Sequence, residues 1–113
     1  IDATTASSAL RPNNATIASH STHVLDLLDL FLAYERGEQP QADWEKAWKT
    51  RTVSAEEWTA LRADLRQRYD TIAEKLAVRN EWQGRVIGGW MMLLAHVAYH
   101  VGEIRQIRTS LAR

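Results

Sequence analysis

Leu93–Ile107 reads Leu-Leu-Ala-His-Val-Ala-Tyr-His-Val-Gly-Glu-Ile-Arg-Gln-Ile and carries two of the four histidines in the chain. Apolar residues at helical spacing surround the two histidines, so we predict a helix from about Trp82 to Leu111. Residues four apart lie one turn apart on the same face of a helix. His96 and His100 can therefore direct two imidazoles at one point, as helices do when they offer two ligands to one metal ion.

The helical face that holds these two histidines also carries apolar residues, which indicates that the imidazoles point into a helical bundle. A lone histidine on such a face is more often a core residue with a satisfied hydrogen bond than a metal ligand, and this alternative stays open. Two buried neutral imidazoles, however, need two partners in a dry environment. His20 and His23 share another predicted helix and can supply a third ligand, which favours a metal site.

The composition restricts the classes of protein and of site. With 113 residues the chain suits one domain with one hydrophobic core, and we take residues 1–113 as that domain. Its 14 basic residues balance 14 acidic residues, so we expect no nucleic-acid partner and no anionic membrane surface as partner. Cysteine is absent, so any site must use nitrogen and oxygen ligands and has no thiol of its own.

The start of the chain shows no charged segment followed by an apolar run, the pattern of a signal peptide. No apolar run approaches the ~18 residues of a membrane span. We therefore expect a cytoplasmic protein that does not enter membranes. Because the first residue is Ile1 and not Met, we also expect an upstream segment that this sequence omits.

Apolar spacings of three, four and seven residues predict three long helices and no strand. The first spans about Ala15–Glu35, with Asn14 as its N-cap. The second opens with a capping box of the Ser-x-x-Glu type at Ser54 and runs to about Val78. The third is the histidine helix, for which Asn80 is the expected cap. The class is therefore all-α, and the short connections suit an antiparallel bundle.

Less regular segments flank these helices. Residues 2–10 have a weak pattern and predict at most a short helix, and residues 37–42 predict a loop. Asp43 can cap a short helix that carries Trp44 and Trp48 four residues apart. We expect this tryptophan pair to form a packing lid in preference to a binding platform.

The segment from His96 to Ile107 resembles the last-helix motif of the DinB-like superfamily, in which His-x-x-x-His is followed by x-Gly-Gln-Ile. That family also has a single histidine on an earlier helix, about six residues after an Ile or Val that follows a helix-starting Ser or Thr. Here Thr16 and Ile17 begin the corresponding segment, and His23 lies six residues after Ile17. The resemblance continues through the loop and the capping box that follow, so it covers most of the chain.

Two departures from the family pattern stand out. Glu103 occupies the position where the family has Gln, which adds a carboxylate one turn beyond the second histidine of the motif. Family members also have a full first helix, whereas here only the weak segment at residues 2–10 precedes the Thr16 region. We therefore expect the first helix to be short or missing.

The resemblance implies an up-and-down four-helix bundle that binds one divalent metal ion through His23, His96 and His100. Zinc, nickel, iron and manganese are all compatible with imidazole and water ligands. Known members include transferases that depend on a low-molecular-weight thiol, and a maleylpyruvate isomerase. The implied function is a metal-dependent transferase or hydrolase that acts on a small molecule, with an external thiol as cofactor in the first case.

Three further residues belong to this hypothesis. His20 competes with His23 as the third ligand, because it also lies on the apolar stripe of its helix, and the six-residue offset favours His23. Asp26 and Glu103 are candidates to accept a proton from the second nitrogen of a ligand and so fix its tautomer. A surface or capping carboxylate is an equal alternative for each.

A second class of function stays open, a non-enzymatic helical dimer whose metal site is structural, vestigial or absent. The predicted Ala15–Glu35 helix is apolar around more of its circumference than two neighbouring helices can cover. A monomer seldom exposes an apolar patch larger than a few hundred Å². We therefore expect a homodimer, or a chain that needs the omitted upstream segment.

Overall fold

The protein is helical and contains no strand in the computed structural model, which describes residues 1–113. The helices are α1 (Ala3–Ala6), α2 (Ile17–Glu35), α3 (Ala55–Val78) and α4 (Gly84–Leu111), with a 3-10 helix at Lys46–Lys49 between α2 and α3. The all-α prediction is confirmed, and so is the short first helix. None of these helices is long and apolar enough to span a membrane.

Helix α2 is the centre of the fold. It packs against α3, α4, the 3-10 helix and α1, whereas α3 and α4 barely touch each other. Eleven of the 20 buried residues lie on α2. The wide apolar circumference of α2 is therefore covered largely by other parts of the same chain, and the homodimer stays a prediction.

Two apolar clusters pack along α2. One joins the start of α2 to the start of α3 and the end of α4, and the other joins the middle of α2 to the middle of α4. The first cluster is Ala6, Ile17, Trp58, Leu61 and Ile107, and the second is Val24, Leu27, Leu28 and Leu93. In the region between the two clusters, α2 carries two histidines and so does α4. The two clusters therefore hold the histidine-bearing turns of both helices against each other.

The start of α2 differs from the prediction, because Thr16 is the N-cap and not Asn14. The hydroxyl of Thr16 accepts a hydrogen bond from the backbone N–H of Ser19 at 3.1 Å, and the two side chains complete a capping box. The same two hydroxyls donate to the carbonyls of Arg51 and Thr50. Contacts to a segment 31 to 35 residues away thus fix where α2 begins, whereas Asn14 is exposed.

The start of α4 also lies later than predicted, at Gly84, and Asn80 does not cap it. The guanidinium of Arg79 forms an ion pair with Glu35 at 2.8 Å and lies over the rings of Trp82 and Trp90. These contacts hold the connection against α2 and α4 in a non-helical conformation. Gly84 then begins the helix with φ +34°, a conformation that favours glycine. The capping box at Ser54, by contrast, forms as predicted.

An apolar groove separates α3 from α4. It encloses about 430 Å³, and every residue that lines it is hydrophobic. Leu28 of α2 also lines the groove. Leu76 of α3 and Met91 and Leu94 of α4 line it and are exposed to solvent. No fourth long helix covers this side of the molecule.

Candidate metal centre

Three histidines converge between α2 and α4. His23 on α2 and His96 and His100 on α4 each offer one nitrogen, and these nitrogens all lie within 4.8 Å of one another. Nε2 of His23 and Nε2 of His96 are 3.3 Å apart. His23 and His100 are buried and His96 is half-buried. Three imidazoles can therefore face a single point that is partly accessible beside His96.

His20 lies outside this group of three. Its Nδ1 contacts Nδ1 of His100 at 3.0 Å, and its side chain is buried. His20 and His23 are three residues apart on α2, so their side chains leave the helix about 60° apart. This rotation separates the two candidates, and the structure groups His23, not His20, with the pair on α4.

Burial favours the neutral form of three of the four imidazoles, those of His20, His23 and His100. It lowers the pKa of His100 to about 4, with the neighbouring His23, His20 and His96 contributing to the decrease. Burial is also the main cause of the lowered pKa values of His20 and His23. Neutral imidazoles keep a nitrogen lone pair at physiological pH, which is the form that binds a metal ion.

Hydrogen bonds within the cluster are incomplete. Nδ1 of His23 is buried and has no hydrogen-bond partner. An unpaired buried polar atom costs about 1–3 kcal/mol, so the histidines do not form a self-sufficient core network. A set of neutral nitrogen donors with one unsatisfied member fits a divalent cation that prefers imidazole.

The two carboxylates proposed as acceptors for ligand protons form no hydrogen bond with any histidine. Asp26 lies one turn after His23, but it lines a separate cavity between α2 and the loop that precedes the 3-10 helix. Burial raises the pKa of Asp26. The charge of Glu103 acts on His20, whose pKa it raises against the effect of burial. Asp26 and Glu103 thus act on His23 and His20 through their charges, and their role as proton acceptors for the ligands stays a prediction.

Two indoles cover the histidines from the loop side, and we call Trp44 and Trp48 the tryptophan lid. Trp48 stacks on His23 with ring centroids 4.8 Å apart and meets the ring of His20 edge-on at 5.3 Å. Trp44 lies nearly parallel to the ring of His96 at 6.5 Å. Both indoles are partly exposed, at 45% and 36%. The pair thus forms a wall between the imidazoles and solvent.

The position of the lid follows from local hydrogen bonds that the sequence only partly revealed. The side chain of Asp43 accepts from the backbone N–H groups of Glu45 and Lys46, and it thereby shapes the turn that carries Trp44. The spacing of the two tryptophans predicted a packing role. The spacing did not predict that the two tryptophans pack on the histidines, because it does not indicate which helix the lid covers.

A family model described as the DinB superfamily matches residues 4–104. The matched range includes all four histidines and both residues of the tryptophan lid. No curated protein and no solved structure matches the chain.

Proposed function

Because this chain belongs to the DinB superfamily, we propose that it is a metal-dependent enzyme that binds one divalent cation through His23, His96 and His100. The observation that carries the proposal is the convergence of three imidazole nitrogens within 4.8 Å of one another. Three protein ligands leave coordination positions open, which distinguishes catalytic from closed structural sites. A cation bound there would act as a Lewis acid and would favour the anionic form of a nucleophile.

The residues around the cluster support transfer or hydrolysis that uses an external nucleophile. The chain has no cysteine, and no carboxylate hydrogen-bonds to the histidines. A thiol nucleophile would therefore have to come from a low-molecular-weight thiol, and in a hydrolysis the nucleophile would be water. The tryptophan lid shields the buried His23 from solvent, so a small molecule would approach beside the half-buried His96.

One observation favours the alternative of a non-enzymatic helical dimer. The apolar groove between α3 and α4 is open and wholly hydrophobic, as an assembly surface would be. In that case the histidines would hold a structural metal or none. The two functions differ in whether the bound metal accepts a further ligand.

Metal analysis of the untagged protein tests the proposal. After reconstitution with zinc or nickel we expect about one metal ion per chain, because three imidazoles suffice for a stable site. His23→Ala and His96→Ala should each lose the metal, while Gln106→Ala, an exposed change on the same helix as His96, should keep it. Metal well below stoichiometry in the unmutated protein would contradict the proposal.

A cobalt-loaded sample separates the enzyme from the structural alternative. Addition of a small thiol should produce thiolate-to-cobalt absorption if a coordination position is open and reachable. A site that binds cobalt but shows no spectral change with thiols or with small anions is closed, and would support the structural role.

A further inference from the structure

His20 and His100 are joined by a hydrogen bond between two like atoms. Both rings are buried, and their Nδ1 atoms are 3.0 Å apart across the α2–α4 interface. A neutral imidazole has one N–H donor and one acceptor nitrogen. In each such bond one Nδ1 must therefore carry the proton while the other accepts it, so the two rings adopt opposite tautomers.

Only one of the two arrangements leaves His100 able to bind a cation through Nε2. When Nδ1 of His100 is protonated and donates to His20, Nε2 of His100 has a free lone pair. In the reverse arrangement His20 donates, and the proton of His100 occupies Nε2. A ligand histidine is normally held in the first state by an acceptor at its other nitrogen.

The three histidines of the group differ in their hydrogen-bond partners. Nδ1 of His23 has no partner, and the only hydrogen-bond partner of His96 is His23. His100 alone has a hydrogen-bond partner outside the group, and that partner is His20. The edge of Trp48 packs against the ring of His20 at 5.3 Å and restrains its orientation.

We propose that His20 is a positioning residue that holds His100 in the tautomer with a free Nε2 and so sets the affinity of the site for its cation. The inference rests on the proposed function.

The first experiment uses the unmutated, metal-free protein. Nitrogen-15 NMR of the imidazoles should show a coupling across the hydrogen bond between Nδ1 of His20 and Nδ1 of His100, with the proton mainly on His100. Absence of this coupling, or a proton mainly on Nε2 of His100, would overturn the inference whether or not the protein binds metal.

The second experiment compares two substitutions of similar size. In His20→Asn the amide keeps a polar atom near the place of Nδ1, whereas His20→Leu removes it. With zinc affinity measured by chelator competition, we expect His20→Leu to weaken binding about 10- to 100-fold, the usual effect of losing such a partner. His20→Asn should stay within a few-fold of the unmutated protein, and circular dichroism checks that both variants fold.

The outcomes separate this inference from the proposed function. If the unmutated protein binds zinc and His20→Leu binds it equally well, the positioning role fails and the metal site survives. If His20→Asn loses zinc as completely as His96→Ala does, His20 is itself a ligand and the positioning role also fails. If the unmutated protein binds no zinc, the proposed function fails, and the NMR coupling still decides the state of the His20–His100 pair.

Discussion

At the scale of single residues, four copies of one amino acid occupy four different environments. His100 is buried and bonded to His20, and His23 is buried with one unpaired nitrogen. His96 is half-buried and stands nearest to solvent in the group. Burial and the neighbouring rings therefore give each imidazole a different environment, although in the sequence the four histidines form two similar pairs.

The lowered pKa values predict how stability depends on pH. His100 has a pKa of about 4 in the folded chain against 6.5 for the unperturbed side chain, and His20 and His23 shift in the same direction. The unfolded chain therefore binds protons first as the pH falls. The free energy of unfolding should be independent of these groups above pH 6.5 and should decrease as the pH falls from 6.5 towards 4.

Denaturant unfolding with a chelator present, at about pH 7.5 and about pH 5, measures this decrease. His100→Leu removes a group whose pKa is lowered to about 4 and should reduce the difference between the two conditions. Equal stability of the unmutated protein at both pH values would show that the histidines are not buried as described.

At the scale of elements, the start of α2 and the tryptophan lid depend on each other. The hydroxyls of Thr16 and Ser19 cap α2 and also bind the carbonyls of Arg51 and Thr50, just after the 3-10 helix. The same turns of α2 carry His20 and His23. One set of hydrogen bonds therefore places the lid over the histidines.

Trp48→Ala should destabilise the protein by about 1–2 kcal/mol, because an aromatic pair contributes about 0.5–1.5 kcal/mol beyond the area it buries and the indole is 36% exposed. It should also speed metal release, since His23 loses the ring that stacks on it. Trp82→Ala is the matched control, because Trp82 is 40% exposed and packs against Trp90 away from the histidines. Equal metal release rates in the two variants would contradict a role of the lid at the site.

At the scale of the whole molecule, one side of the bundle is apolar and uncovered. Residues 86–102 of α4 contain no charged residue, and Met91, Met92 and Leu94 are 65–73% exposed. These 17 residues form a strip about 25 Å long, which joins the groove beside α3. An uncharged face of several hundred Å² marks an interaction surface.

We propose that a second copy of the chain covers this face, with α4 of each copy in the interface. The net charge of the chain is zero, so two copies do not repel each other, and the exposed apolar side chains of α4 continue into the wholly hydrophobic groove beside α3. Sedimentation at micromolar concentration should give a dimer. Leu94→Glu should give a monomer, while Gln106→Glu, which adds the same charge beyond the apolar strip, should not.

A monomer that binds no hydrophobic dye would contradict the dimer, because such a protein exposes no apolar face. A monomer that binds the dye strongly would show that the face is exposed and that another molecule covers it, which also contradicts self-association.

The sequence by itself determined the helical class, the capping box at Ser54 and the pair His96 and His100 on one face of α4. Each of these depends on residues within a few positions of one another, and helical periodicity relates such residues directly. The resemblance to a family pattern added His23 through a spacing that is also local. For residues this close together in the chain, the amino-acid pattern therefore predicts their relative positions in the structure.

Only the tertiary structure decided that His23 lies near both histidines of α4 while His20 contacts His100 alone, where α2 begins, and what the two tryptophans cover. The rotation of α2 against α4 separates His20 from His23, and that rotation depends on two apolar clusters drawn from four helices. Thr16 becomes the cap because its hydroxyl binds a carbonyl 35 residues away. Such contacts join segments whose separation in the chain carries no information about their separation in space.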